Sequence, residues 1–148
     1  MLIAAFFVGS PLAGAQQKSK GYNELAAEVL KYVNEHRATK GLAPLKMVEV
    51  ISQAAEKHSR NMAGGRLPFG HDGFDERMNG LVKQLRPANS WAENVAYSND
   101  DARDVVNMWL HSPGHKKNIE GKFNITGIGI AVSPGGDYYY TQIFVNKE

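Results

Sequence analysis

Trp91 to Ile119 reads WAENVAYSNDDARDVVNMWLHSPGHKKNI, and the rest of the chain is arranged around it. It opens on Glu93-Asn94-Val95-Ala96-Tyr97, a strand-like run with one carboxylate on an otherwise apolar segment. Ser98 stands three residues before Asp101, a spacing that resembles a capping box and predicts a helix start. Val105 and Trp109 follow at helical spacing with Val106 beside them, so this helix should bury one face. Pro113 and Gly114 are read as its stop, because proline lacks an N–H and glycine tolerates the turn. His115 comes directly after. A third candidate, His71, lies upstream in the turn Pro68-Phe69-Gly70-His71-Asp72-Gly73. The reading that follows is that His71, Glu93 and His115 meet in one cleft.

The flanking segments supply a scaffold. Tyr22 to Lys40 carries Leu25, Val29, Val33 and His36 near one helical face, with Gly41 as a stop. Gly41-Leu42-Ala43-Pro44-Leu45 then turns into a second helix. There Val48, Ile51, Ala55, His58 and Met62 recur at three- and four-residue intervals before Gly64-Gly65. His58, on that apolar face, reads first as a core histidine bonded to backbone. Phe74, Met78, Leu81 and Leu85 predict a third helix, with a break at Asn79-Gly80. His36 and His111 are peripheral. Near the end, Ile128, Ile130 and Val132 alternate with Gly127, Gly129 and Ala131. That is a strand with a bulky face and a bare one, and a bare face lets a helix approach closely. Ser133-Pro134-Gly135-Gly136-Asp137 turns into a second, aromatic-rich strand from Tyr138 to Val145. Helices first and strands last predict an α+β layered domain.

The chain has 148 residues, 43% hydrophobic and 22% charged, enough for one domain with a sizeable core. The net charge of +2 comes from interleaved acids and bases, which excludes a nucleic-acid footprint. Leu2 to Val8 is apolar but too short to span a bilayer. Ala13-Gly14-Ala15 before Gln16 fits a small-x-small cleavage pattern, although no basic residue precedes the apolar run. The expected organisation is a signal peptide over 1–15, a linker over 16–21 and one domain over 22–148, secreted and monomeric, with no membrane-spanning segment. The absence of cysteine excludes disulfides, thiolate metal sites, cysteine nucleophiles and a lipid anchor on a cysteine of this chain. Asn124-Ile125-Thr126 is a glycosylation sequon if the source is eukaryotic.

No P-loop, GxGxxG, HExxH or GxSxG motif occurs. Two imidazoles and a carboxylate suit Zn²⁺ or another divalent cation with open water positions. The same trio could run general acid–base chemistry. Ser112, three residues before His115, suggests a nucleophile but is more simply a turn residue. Tyr97, Tyr138, Tyr139, Tyr140 and Phe144 could line a lipid groove, though strand tyrosines more often divide between core and solvent.

Together these segments resemble the CAP superfamily (cysteine-rich secretory protein, antigen 5, pathogenesis-related 1), also called the SCP or PR-1-like domain, in its short bacterial secreted form. The resemblance runs from Tyr22 to Val145. It rests on Val33-Asn34-Glu35-His36-Arg37 with Gly41 to Leu45, Ala55 to Ser59, Phe69-Gly70-His71, and Ala92-Glu93-Asn94-Val95-Ala96. It continues in Val105 to Trp109, Ser112-Pro113-Gly114-His115 with Asn118-Ile119, Gly127 to Ala131 and Tyr140-Thr141-Gln142. It implies a three-layer α-β-α sandwich around a central antiparallel sheet, and a cleft lined by two His and two Glu. His71, Glu93 and His115 match three of these positions. The fourth falls where this chain has Ser112, which leaves at most three protein ligands. The function implied is an extracellular binding module whose His/Glu cleft accepts a divalent cation, with a protein or a lipid or sterol as partner. The alternative is a hydrolase, most simply a peptidase, in which His71, Glu93 and His115 activate water.

Overall fold

The structure is a computed structural model that describes residues 21–148. The expected signal peptide and nearly all of the linker lie outside the described residues. In chain order the elements are α1 (Tyr22–Thr39), β1 (Lys46–Met47), α2 (Glu49–Ala63), α3 (Phe74–Leu85) and β2 (Ser90–Ser98). They continue with α4 (Ala102–Leu110), α5 (Pro113–Ile119), β3 (Ile125–Val132) and β4 (Tyr138–Asn146).

The sheet runs β1-β3-β4-β2, with β3 and β2 both antiparallel to β4 and β1 parallel to β3. It is therefore mixed rather than wholly antiparallel. The parallel piece is two exposed residues, too short to carry a hydrophobic pattern. The α-β-α layering is as expected. Ile128, Ile130, Tyr140 and Phe144 face Val29, Val33, Val105 and Trp109 of α1 and α4. Ile143 and Val145 face Ile51 and Ala55 of α2 and Met78, Leu81 and Leu85 of α3.

The bare face of β3 does what the alternation predicts. A Cβ on Gly127 would lie 2.2 Å from the Ser52 backbone nitrogen, and one on Gly129 would lie 2.0 Å from that of Glu56. Those separations are far inside van der Waals contact, so α2 can lie on the sheet only where β3 has no side chains.

Three boundaries differ from expectation. The N-cap of α4 is Asp101, whose Oδ1 accepts from the Asp104 N–H at 3.1 Å. Ser98 caps no helix; its hydroxyl is bonded to Asp100. Pro113 and Gly114 open α5 as well as closing α4, because the first helical position needs no N–H donor. Third, α3 runs through Asn79-Gly80 unbroken.

One buried cation fixes the end of the molecule where α1 meets α5. Arg37 is 2% exposed and, among the described residues, has no acidic partner. Its Nε donates to Ala43 O at 2.9 Å and its Nη1 to Ile119 O at 2.8 Å and Gly121 O at 2.9 Å. Its Nη2 donates to Phe123 O at 3.1 Å. One guanidinium thus satisfies four carbonyls of two turns, including one at the electronegative end of α5.

Candidate functional site

Glu93 sits in β2, an edge strand, opposite Ile143 of β4. Strand alternation sends its side chain to the α2/α3 face and Asn94 to the other. The carboxylate is buried and almost fully bonded. His71 Nδ1 donates to Oε1 at 2.9 Å, Arg77 Nη2 donates to the same oxygen at 2.8 Å, and Arg77 Nε donates to Oε2 at 2.9 Å. The remaining Arg77 nitrogen, Nη1, reaches Asp72 O at 3.1 Å. Arg77 thereby grips both the carboxylate and the loop that carries His71. That loop is bent by Gly70 and Gly73, at φ +143° and +76°, in the left-handed region that glycine enters without a Cβ clash.

His58 completes the inner wall. Its Nε2 donates to Gly70 O at 2.7 Å and lies 3.9 Å from Glu93 Oε1. The ring is buried and, among the described residues, Nδ1 has no hydrogen-bond partner. Burial, foremost, pushes its pKa below the usual imidazole range, with the positive charge of Arg77 adding to the effect and the Gly70 bond opposing it. The bond to backbone is the one expected of a core histidine; the closeness to Glu93 is additional.

His115 arrives from the opposite layer. It lies in the first turn of α5, and side chains pin the α4–α5 corner to β2. Trp109 Nε1 donates to Val95 O at 3.0 Å and Asn94 Nδ2 donates to His115 O at 3.1 Å. Asn118 Nδ2 donates to Asn94 Oδ1 at 2.8 Å and to Glu93 O at 3.3 Å. Two carbonyls of the edge strand are thus satisfied by side chains of α4 and α5, which also cover the edge. The pKa of His115 is lowered by burial and then by the charge of His71.

The structure therefore joins His71 to Glu93 directly, whereas among the described residues the His115 ring forms no hydrogen bond or ion pair with either and only feels the charge of His71. Sequence reading missed Arg77, the residue with most contact to Glu93. The available signal was Glu93 itself, since a carboxylate on a buried strand needs a cation near it. Ser112 is the N-cap residue of α5 without a side-chain cap bond, and no hydrogen bond joins it to His115. His36 bonds Glu120 at 2.8 Å and His111 bonds Asn107 O at 2.7 Å; both stand apart from the cleft. The five aromatics divide between faces. Tyr140 and Phe144 are core with Tyr138 packed against them, whereas Tyr97 and Tyr139 form a tilted pair at 5.3 Å and meet Phe69 at the exposed rim beside His71.

Among the described residues, no group of three or more His, Asp or Glu side chains is placed to hold a metal ion. With Glu93 bonded to Arg77 and His71, the imidazole nitrogens left without a hydrogen bond among the described residues are His71 Nε2, the buried His58 Nδ1 and the His115 ring. By residue chemistry alone, imidazole nitrogens suit a cation such as Zn²⁺ that accepts nitrogen ligands and completes its shell with water. The arrangement does not fit one taking Glu93 as well while Arg77 stays in place.

Residues 30–144 match the family model of CAP, the cysteine-rich secretory protein family. The chain belongs to this family. YkwD of Bacillus subtilis (strain 168), described as an uncharacterized protein, is 31% identical over 127 residues, covering 81% of this chain and 46% of that one. An extracellular protein containing an SCP domain from Bacillus anthracis str. Ames has a similar structure, with a TM-score of 0.69 and 26% identity. The match covers 85% of this chain and 41% of that one. NaASP2, crystallised with Zn²⁺, shares the fold at a TM-score of 0.58 and 12% identity, over 85% of this chain and 82% of that one. The CAP chain thus spans less than half the length of YkwD and of the anthracis protein. Among the described residues, no helix is long and apolar enough to cross a membrane.

Proposed function

We propose that this CAP domain is a secreted, extracellular binding module, monomeric, whose cleft holds a divalent cation, Zn²⁺ by preference, on His71 and His115. The observation that carries this reading is the Glu93–His71 bond. A carboxylate that accepts from Nδ1–H fixes the tautomer and leaves Nε2 as a lone-pair donor facing the cleft, the usual arrangement of a histidine prepared for a metal. An all-nitrogen pair selects Zn²⁺ over Mg²⁺ or Ca²⁺. In this reading Glu93 orients a ligand and is not one itself. The Zn²⁺-bound relative and the extracellular relative are consistent with both halves of the proposal. The exposed rim of Phe69, Tyr97 and Tyr139 beside the ion is the contact surface for an extracellular protein. A lipid or sterol partner has less support, because the strand aromatics do not share one face.

Thermal melting during Zn²⁺ titration tests the site. At a free concentration one hundred times Kd, binding stabilises the native state by about 2.7 kcal/mol. The wild-type midpoint should rise by several degrees, and His71→Ala and His115→Ala should abolish the rise. Equal shifts in all three proteins would remove the proposal.

The peptidase reading has a weaker basis. Both Glu93 oxygens already accept N–H bonds from fixed donors, so Glu93 is badly placed to take a proton from water. It would be restored by turnover of any peptide or ester substrate, with or without Zn²⁺, that His115→Ala abolishes without changing the melting midpoint.

A further inference from the structure

Arg77 is the unexpected member of the cleft. Its side chain is only 12% exposed, and its guanidinium lies 2.8 and 2.9 Å from the two oxygens of a carboxylate that is 1% exposed. A planar fork meeting a planar carboxylate on both oxygens is the most directional ion pair that side chains form. A metal ion cannot enter the same place. It would have to displace two charge-assisted bonds and stand beside a fixed positive charge in a site with little water to screen it.

We propose that Arg77 is the specificity-determining residue of the cleft: a resident cation that keeps Glu93 out of the coordination sphere and so limits the site to two imidazoles. This deepens the reading of the cleft as a cation site and rests on it. Two consequences follow from donor chemistry. Zn²⁺ affinity is held below what three protein ligands would give. Cations that favour oxygen, such as Mn²⁺, are refused because Glu93, the carboxylate bonded to His71, is taken. Arg77 acts through Glu93 and the His71 loop, so it is a positioning residue and not a ligand. A side chain serving only to hold the loop would, when removed, weaken metal binding. Arg77 predicts the opposite sign.

The test compares wild type, Arg77→Gln, Arg77→Lys and the double variant Arg77→Gln/Glu93→Gln by calorimetric titration with Zn²⁺ and with Mn²⁺, folding being checked by circular dichroism. Arg77→Gln should bind Zn²⁺ about tenfold or more tightly than wild type, the scale on which outer partners move metal affinity, and should acquire Mn²⁺ binding. Arg77→Lys, which keeps the charge but loses the fork, should fall between. The double variant should lose the gain. Equal or weaker Zn²⁺ binding by folded Arg77→Gln, or a gain that persists without Glu93, overturns the proposal. If Arg77→Gln folds only with metal, Arg77→Lys against Arg77→Lys/Glu93→Gln carries the same test. Wild type that binds no Zn²⁺ beside an Arg77→Gln that binds through Glu93 would end the two-histidine reading and leave this one standing. Wild type that binds beside an Arg77→Gln with no gain would do the reverse.

Discussion

Arg37 and Glu93 are both charged and both buried, one near the end of helix α1 and one in the edge strand β2, yet their surroundings differ in kind. Arg37 meets only main-chain carbonyls, all fixed by turns of the fold, and nothing about it is shared with solvent. Glu93 meets side chains. One of them, His71, is half exposed, and a neighbouring imidazole has a nitrogen without a partner. A charge solvated wholly by backbone holds a fold together. A charge solvated by side chains that also face a cleft leaves donors aimed outward. The first pattern is structural and the second is the pattern of the proposed site.

The largest test of this contrast is Arg37→Ala. Bonds to a charged group are worth about 1.5–3 kcal/mol each, and four carbonyls would lose their donor. Urea denaturation should show a loss of about 3 kcal/mol or more, with the Zn²⁺ response intact in whatever protein remains folded. A loss under about 1 kcal/mol would mean that water replaces the guanidinium easily.

Gly129→Ala probes the other side. Its Cβ would meet the Glu56 backbone nitrogen at 2.0 Å and push α2 from the sheet, and α2 carries His58. Overpacking of this kind costs about 1–3 kcal/mol. It should also weaken the Zn²⁺-induced rise in melting midpoint, which would tie the cleft to the α2 distance. Loss of stability with an unchanged Zn²⁺ response would separate them.

The smallest effect is in pH. His58 and His115 are held below the ordinary imidazole value of 6.5. As pH falls below that value, the unfolded chain takes up protons that the native state resists, so the unfolded state binds more protons and stability falls. His58 is faced by Arg77, Glu93 and His71, and burial is the main cause of its shift. His58→Gln keeps a donor for Gly70 O and removes the titration, so the decline of apo-protein stability from about pH 6.5 downward should become shallower. An unchanged slope would show that His58 is not one of its sources.

Much of the scaffold was legible because its physics is local and periodic. Gly127 and Gly129 announced a close helix approach, and His58 on an apolar helix face announced a backbone-bonded core imidazole. Pro113 was ambiguous, since the same missing N–H ends one helix and suits the first turn of the next. The parallel strand β1 has two residues and no periodicity to read. In the cleft, His71, Glu93 and His115 could be named from the family pattern. Arg77 could not, because apolar spacing reveals the buried face of α3 and is silent on which polar residue turns toward a strand. Glu93 therefore looked like a free ligand, whereas its oxygens are already bonded to Arg77 and His71.

Imidazole ¹⁵N spectra through a Zn²⁺ titration test the central claim most directly. Before metal, His71 should be the Nδ1–H tautomer. His71 Nε2 and one ring nitrogen of His115 should then shift together, saturating at one equivalent, while His58 stays unmoved. Resonances of His71 and His115 that remain unchanged at saturating Zn²⁺, or that move with different midpoints, would contradict a shared ion.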